Sequence, residues 1–225
     1  MVVAIVTARK NSKGLPGKNT MMLGNMSLIE HSIMAANNAN EIDEIILSTD
    51  IEEIIEELKN KYSKLNVPYI RPEHLCQDDS THVDVMNDLI QYFEKNNKRI
   101  SHFVLLQPTS PFRTYQEINE GVKLLKSGIE SVLGVCKTMH HPADYIYLDY
   151  NKKIKNVMPD FKGKRRQEFP EIYFNNGAFY GCSVNFFKKN QMFYDENSQL
   201  LIMNENTLID IDTELDMKFA KSIIE

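Results

Sequence analysis

Arg9, Lys10, Lys13 and Lys18 crowd into one short loop with Gly14, Pro16 and Gly17, and no acid stands between Ala8 and Asn19. Such a loop suits one kind of chemistry. Glycine lets backbone N–H groups approach an anion closely, and the ammonium and guanidinium groups neutralise phosphate charge. The apolar run Val2 to Val6 just before it reads as a buried strand. A basic loop leaving the carboxyl end of a strand is how α/β sheets hold phosphate-bearing ligands. Taken alone, the same residues read equally as a solvated surface loop. The common nucleotide loops are absent: Gly14 and Gly17 are too close for G-x-x-x-x-G-K-[ST], Asn19 follows Lys18, and no G-x-G-x-x-G is present.

Near the other end, Asp210 and Asp212 stand two apart ahead of a final helix. On an extended segment both carboxylates point the same way, which suits a hard cation such as Mg²⁺. Helix capping is the competing reading, and it accounts for Glu214 and Asp216 in the first helical turn. Between these ends, Gln107, Thr109, Ser110 and Arg113 alternate with Pro108, Pro111 and Phe112. Two prolines fix the backbone there, so the stretch by itself reads first as a rigid turn with an N-cap. Lys162, Lys164, Arg165 and Arg166 form a basic run. Such a run is ordinarily a solvated face, but arginine can also grip a carboxylate bidentately. His140 and His141 are adjacent, so in a strand they would point to opposite faces and make a poor shared metal site. One is expected to be structural.

These groups need a scaffold. A helix is expected over Leu28–Ala39, a strand over Glu44–Asp50, a helix over Ile51–Tyr62 and a short strand over Val67–Ile70. A helix at Val83–Phe93, a strand at His102–Leu106, a helix at Tyr115–Lys126 and a strand at Ser131–Val135 follow. Strands alternating with helices indicate a parallel α/β sheet with its site at the strands' carboxyl ends. From 137 to 172 the pattern changes: Tyr145–Leu148 and Ile154–Val157 flank the turn residues Asp149–Lys152, which reads as an inserted β-rich lobe. Gly177–Tyr180 then reads as a returning strand and Glu214–Ile223 as the closing helix.

The 225 residues suit one domain, 1–225, carrying that insertion. A hydrophobic fraction of 42% with 25% charged residues is that of a soluble globular protein. The formal net charge of -5 argues against bulk attraction to nucleic acid or an anionic membrane. Cys76, Cys136 and Cys182 are odd in number and far apart, as for free thiols in a reducing cytoplasm. No signal peptide or membrane span is expected, because Arg9 cuts the first apolar run short.

The loop A-R-x-x-S-K-G-L-P-x-K-N resembles the signature of the acylneuraminate cytidylyltransferases. The resemblance continues in order through R-P-E-H-L at Arg71, L-Q-P-T-S-P-x-R at Leu106, R-Q at Arg166, N-G-A-x-Y at Asn176 and I-D-I-D-T-E-L-D at Ile209. It implies a Rossmann-like three-layer α/β nucleotidyltransferase, mostly parallel in its sheet, with the lobe serving a homodimer. It also implies transfer of CMP from CTP to the anomeric hydroxyl of an acidic nine-carbon sugar, with release of pyrophosphate. Ala8, Arg9, Ser12, Lys13, Lys18, Asn19, Arg71, Ser80 and Thr81 would then hold the nucleotide. Gln107, Arg166, Gln167, Asn176 and Tyr180 would line the sugar site. Asp210 and Asp212 would bind Mg²⁺, with Mn²⁺ able to substitute, and Arg9, Lys13 and Asp212 would carry the chemistry. Asp144 stands where some sialic-acid enzymes of the family carry lysine. A Kdo-type enzyme and a catalytically silent homologue are the alternatives.

Overall fold

Seven consecutive residues, Val2–Ala8, form β1, and all seven are buried because the strand runs down the middle of the sheet. Val2, Ala4, Val6 and Ala8 face one hydrophobic cluster while Val3 and Ile5 face the other, the two-residue period of a strand covered on both sides. The computed structural model describes residues 1–11, 14–138 and 140–224.

After the basic loop come a small hairpin, β2 (Met22–Leu23) with β3 (Met26–Ser27), and helix α1 (Leu28–Asn38), whose Ser27 cap accepts from the Glu30 N–H. Strand β4 (Glu44–Thr49), helix α2 (Ile55–Lys61) and strand β5 (Leu65–Asn66) follow. Helix α3 (His82–Lys95) and helix α4 (Tyr115–Lys126) flank strand β6 (His102–Leu105). Each of these helices starts with a reciprocal capping box, Thr81 with Asp84 and Thr114 with Glu117. Then come β7 (Ser131–Lys137), the separate pair β8 (Ile146–Leu148) and β9 (Ile154–Asn156), and the long β10 (Tyr173–Ser183). Helix α5 (Val184–Asn190), strand β11 (Gln199–Ile202) and helix α6 (Glu214–Ile224) complete the chain.

The seven-stranded sheet runs β11-β7-β10-β6-β1-β4-β5, and only β10 is antiparallel to its neighbours. Helices α1, α2 and α4 cover one face, through side chains such as Ile33, Leu58 and Val122. Helices α3 and α5 cover the other, through Met86, Leu89, Phe186 and Phe187. A third cluster joins Leu15 of the basic loop and Leu28 of α1 to Ile211, Met217 and Ala220. It fastens the start of the chain to its end.

Three expectations shift. The strand expected at Val67–Ile70 lies at Leu65–Asn66, paired with Ile45 and Ile46, because Pro68 has no N–H to continue the ladder. The helix expected from Ile51 opens as a 3₁₀ turn over Glu52–Ile54 and becomes α-helical only at Ile55. The returning strand is 11 residues long rather than four, and its register shifts between Asn175 and Tyr180. Helix α5 and strand β11 carry too little apolar periodicity to have been read in advance.

Within 137–172, the turn between β8 and β9 is tied by Asp149 Oδ1, which accepts from the N–H groups of Asn151 (2.8 Å) and Lys153 (3.0 Å). Ile146, Tyr147, Leu148 and Ile154 are more than half exposed. His141 is structural: its Nδ1 accepts from the Ala143 N–H at 3.1 Å and its ring lies against Phe169. His140 is exposed. No helix among the described residues is long and apolar enough to cross a membrane.

Candidate active site

Strands β1 and β6 and the segment before α6 end around one cavity of about 410 Å³. Its wall includes Arg9, Gly14, Lys18 and Asn19 from the basic loop and Arg71 beyond β5. Ser80, Thr81 and His82 at the head of α3, Gln107 and Thr109 after β6, and Asp210 and Asp212 complete it.

The loop is braced from within. Asn19 is buried and its amide donates to the Arg9 carbonyl at 2.9 Å, which holds the turn of the loop. A Cβ on Gly14 would stand 2.7 Å from the Asp212 carbonyl oxygen, so only glycine lets the basic loop pass this close to the acidic segment. Ile211 N donates to Thr109 O at 2.8 Å, which docks the acidic segment beside the turn after β6.

Each cation has its own setting. Arg9 Nη1 donates to Gln77 O at 2.8 Å and pairs with Asp78 at 3.0 Å. Lys18 Nζ is 2.5 Å from Asp212 Oδ1. Arg71 is 6% exposed and bonds Ser48 through its side-chain Oγ at 3.0 Å and through its carbonyl. Burial lowers the Arg71 pKa from the usual arginine range. Lys18 and Asp212 thus neutralise each other.

Asp210 differs from Asp212. It is partly buried, and its Oδ1 is sealed from solvent with no hydrogen-bond partner among the described residues. Burial is the main cause raising its pKa, with Asp212 adding to it, while Thr109 and Lys18 oppose. A buried orphan carboxylate oxygen beside a second carboxylate is the donor set a hard divalent cation fits.

The turn after β6 is fixed by a buried guanidinium. Arg113, 4% exposed, donates through Nε to Ala178 O at 2.7 Å, through Nη1 to Ser32 Oγ at 2.6 Å, and through Nη2 to Gln107 O. Burial pushes its pKa down to about 9, and Asp210 and Glu117 partly restore it.

Several expected residues stand elsewhere. Ala8 is buried in β1, with its side chain in the core rather than at the cavity. Asn176 is 1% exposed and its amide is consumed inside, donating to Thr207 Oγ1 at 2.8 Å and accepting from Ala178 N at 3.0 Å. Tyr180 packs with Phe193 and Tyr194 rather than on the cavity wall. Arg166 and Gln167 sit in an exposed 3₁₀ turn of the 137–172 segment and do not reach the cavity within one chain. Ser12 and Lys13 lie outside the described residues. Thr109, one of the polar residues noted after β6, lines the cavity, and so do Thr7, Gln77 and His82, which the sequence does not single out. For Thr7 a signal existed, a polar residue breaking an apolar strand. For His82 there was none, since its partners, Thr7 and Gln107, come to the head of α3 only through the fold.

Residues 3–203 match the family described as Cytidylyltransferase. The chain is 32% identical to the CMP-N,N'-diacetyllegionaminic acid synthase of Legionella pneumophila, over 100% of this chain and 96% of that protein. It is 30% identical to an N-acylneuraminate cytidylyltransferase of Streptococcus agalactiae, over 95% of this chain and 51% of that protein. Among solved structures, a CMP:2-keto-3-deoxy-manno-octonic acid synthetase in complex with CTP aligns with a TM-score of 0.69. The identity is 12%, over 99% of this chain and 98% of that one, a likeness of fold.

Proposed function

The chain belongs to the cytidylyltransferase family, and from that premise we propose that it transfers CMP from CTP to the anomeric hydroxyl of an acidic nine-carbon sugar, releasing pyrophosphate. The observation that carries this reading is the meeting of Arg9, Lys18 and Arg71 with Asp210 and Asp212 in one cavity at the strand ends. The sugar hydroxyl attacks the α-phosphorus, the bond to the β-phosphate oxygen breaks, and the hydroxyl proton leaves. The obstacle is electrostatic, because a triphosphate must meet a carboxylate-bearing nucleophile while charge grows on the departing pyrophosphate.

Arg9 and Lys18, with Lys13 of the same loop, would bind the phosphates. Arg71, Ser80, Thr81 and Asn19 would hold the nucleoside side, and Gln107 the sugar. Lys18 would leave Asp212 for a phosphate oxygen, freeing that carboxylate to accept the hydroxyl proton. Asp210 and Asp212 would hold Mg²⁺, or Mn²⁺ in its place, which when bound polarises the α-phosphate and orients the nucleophile.

The exposed apolar hairpin β8–β9 supports a homodimer, in which Arg166 and Gln167 would meet the partner's sugar site rather than their own. Three free cysteines, two of them buried, support a cytoplasmic setting. Pyrophosphate release from CTP and Mg²⁺ with N-acetylneuraminate, diacetyllegionaminate and a pseudaminate in parallel tests the reading. Turnover of one of these acids is expected. Folded protein that turns over none of them refutes it.

A further inference from the structure

Both ring nitrogens of His82 are engaged on the cavity wall. Its Nε2 lies 2.7 Å from Gln107 Nε2. A carboxamide nitrogen only donates, so His82 Nε2 carries the lone pair and the ring proton sits on Nδ1. That proton is donated to Thr7 Oγ1 at 3.3 Å. Burial first, then the charges of Arg71 and Arg9, push the His82 pKa down to about 4, which keeps the ring neutral. A protonated ring would present two donors and lose Gln107.

The carboxamide is also confined on its other side. A Cβ on Gly177, whose φ is +69°, would stand 2.7 Å from Gln107 Oε1 and 3.0 Å from Ser110 Oγ. The Gln107 carbonyl accepts from Arg113 and from Ser110 N, so the main chain beneath the side chain is fixed as well. One amide hydrogen is thus committed to His82 and the oxygen lies against Gly177. Among the described residues nothing takes the second amide hydrogen, which leaves it for a ligand.

We propose that His82 is a positioning residue that sets the orientation of the Gln107 carboxamide, so that Gln107 offers an N–H donor to an acceptor oxygen of the acid sugar. Thr7 acts one step further back by holding the His82 tautomer. The inference rests on the reading of Gln107 as a sugar-side group. It assigns the relay Thr7–His82–Gln107 to acceptor recognition and leaves nucleotide binding to other residues.

Steady-state kinetics on H82L, H82Q, Q107A and the H82L/Q107A double variant test it. H82L is expected to raise the KM for the sugar about tenfold, the worth of one hydrogen bond, with the KM for CTP within about twofold of wild type. H82Q, which keeps an acceptor near the position of Nε2, is expected to recover most of the loss. The double variant is expected to be no worse than Q107A, because His82 works through Gln107. Multiplying effects, or a CTP KM that rises in step with the sugar KM, would overturn the assignment. Should H82L fail to fold, T7V serves, with a smaller rise in the sugar KM expected and an unchanged value overturning the relay. If wild type turns over no acid sugar, the inference falls with its premise. If wild type is active and H82L equals it, this inference alone is wrong.

Discussion

Neutral His82 makes the fold itself sensitive to acid, and the size of the effect can be worked out. Its pKa falls from an ordinary 6.5 to about 4 in the folded chain, so below neutrality the unfolded chain binds a proton that the folded chain refuses. Stability therefore rises with pH across this window and is lost as pH falls from 6.5 toward 4. Between pH 7 and pH 4.5 this one group removes about 2 kcal/mol, or about 4–8 °C in melting temperature for a chain of this length. Other titrating groups contribute too, so the comparison is between wild type and H82Q, which keeps hydrogen-bonding capacity but cannot titrate. Urea unfolding at the two pH values is expected to show wild type losing about 2 kcal/mol more than H82Q. Equal losses would mean that burial beside Arg9 and Arg71 does not lower the His82 pKa.

Four further outcomes are expected. D212N should lower kcat by about a hundredfold or more at saturating CTP and sugar; near wild-type activity would sink the metal and base assignments. D210N should abolish activity in the same assay while leaving the melting temperature of the ligand-free protein unchanged or raised, since it removes a charge that burial disfavours and that has one oxygen unbonded among the described residues; a fall of several degrees would contradict this. G177A forces a side chain into a left-handed backbone and onto Gln107, so calorimetry should show a loss of about 2 kcal/mol, and the sugar KM should rise. R113M strips donors from Ala178 O, Ser32 Oγ and Gln107 O, at a cost of about 3 kcal/mol in urea unfolding; an unchanged midpoint would show that the buried guanidinium contributes nothing net.

Much of the architecture is written locally. The unbroken apolar run of β1 and the alternation of strands with amphipathic helices are short-range signals that survive folding, although the helix expected from Ile51 becomes α-helical only at Ile55. Where the expectation slipped, at Leu65–Asn66 and at β10, the ladder partner decided where pairing stops, and partners are distant in sequence. The motifs likewise pointed to the charged ends of the site. Arg9, Lys18, Asp210 and Asp212 stand on one wall because the segments bearing them leave the same edge of the sheet.

What the sequence could not distinguish is which member of a motif faces the ligand and which holds the motif together. Asn176 sits inside N-G-A-x-Y, yet its amide is spent on Thr207, because β10 bulges between Asn175 and Tyr180 and turns that side chain inward. Arg113 ends a polar stretch at the carboxyl end of β6, and only the fold shows that it is sealed under the turn that it braces. His82 carries no pattern at all until the fold brings Thr7 and Gln107 to it. Composition and spacing determine which chemistry the chain can bring. Burial and hydrogen-bond pairing between residues far apart in sequence decide which side chains remain free to do it, because a polar group that packing removes from water must be satisfied within the protein.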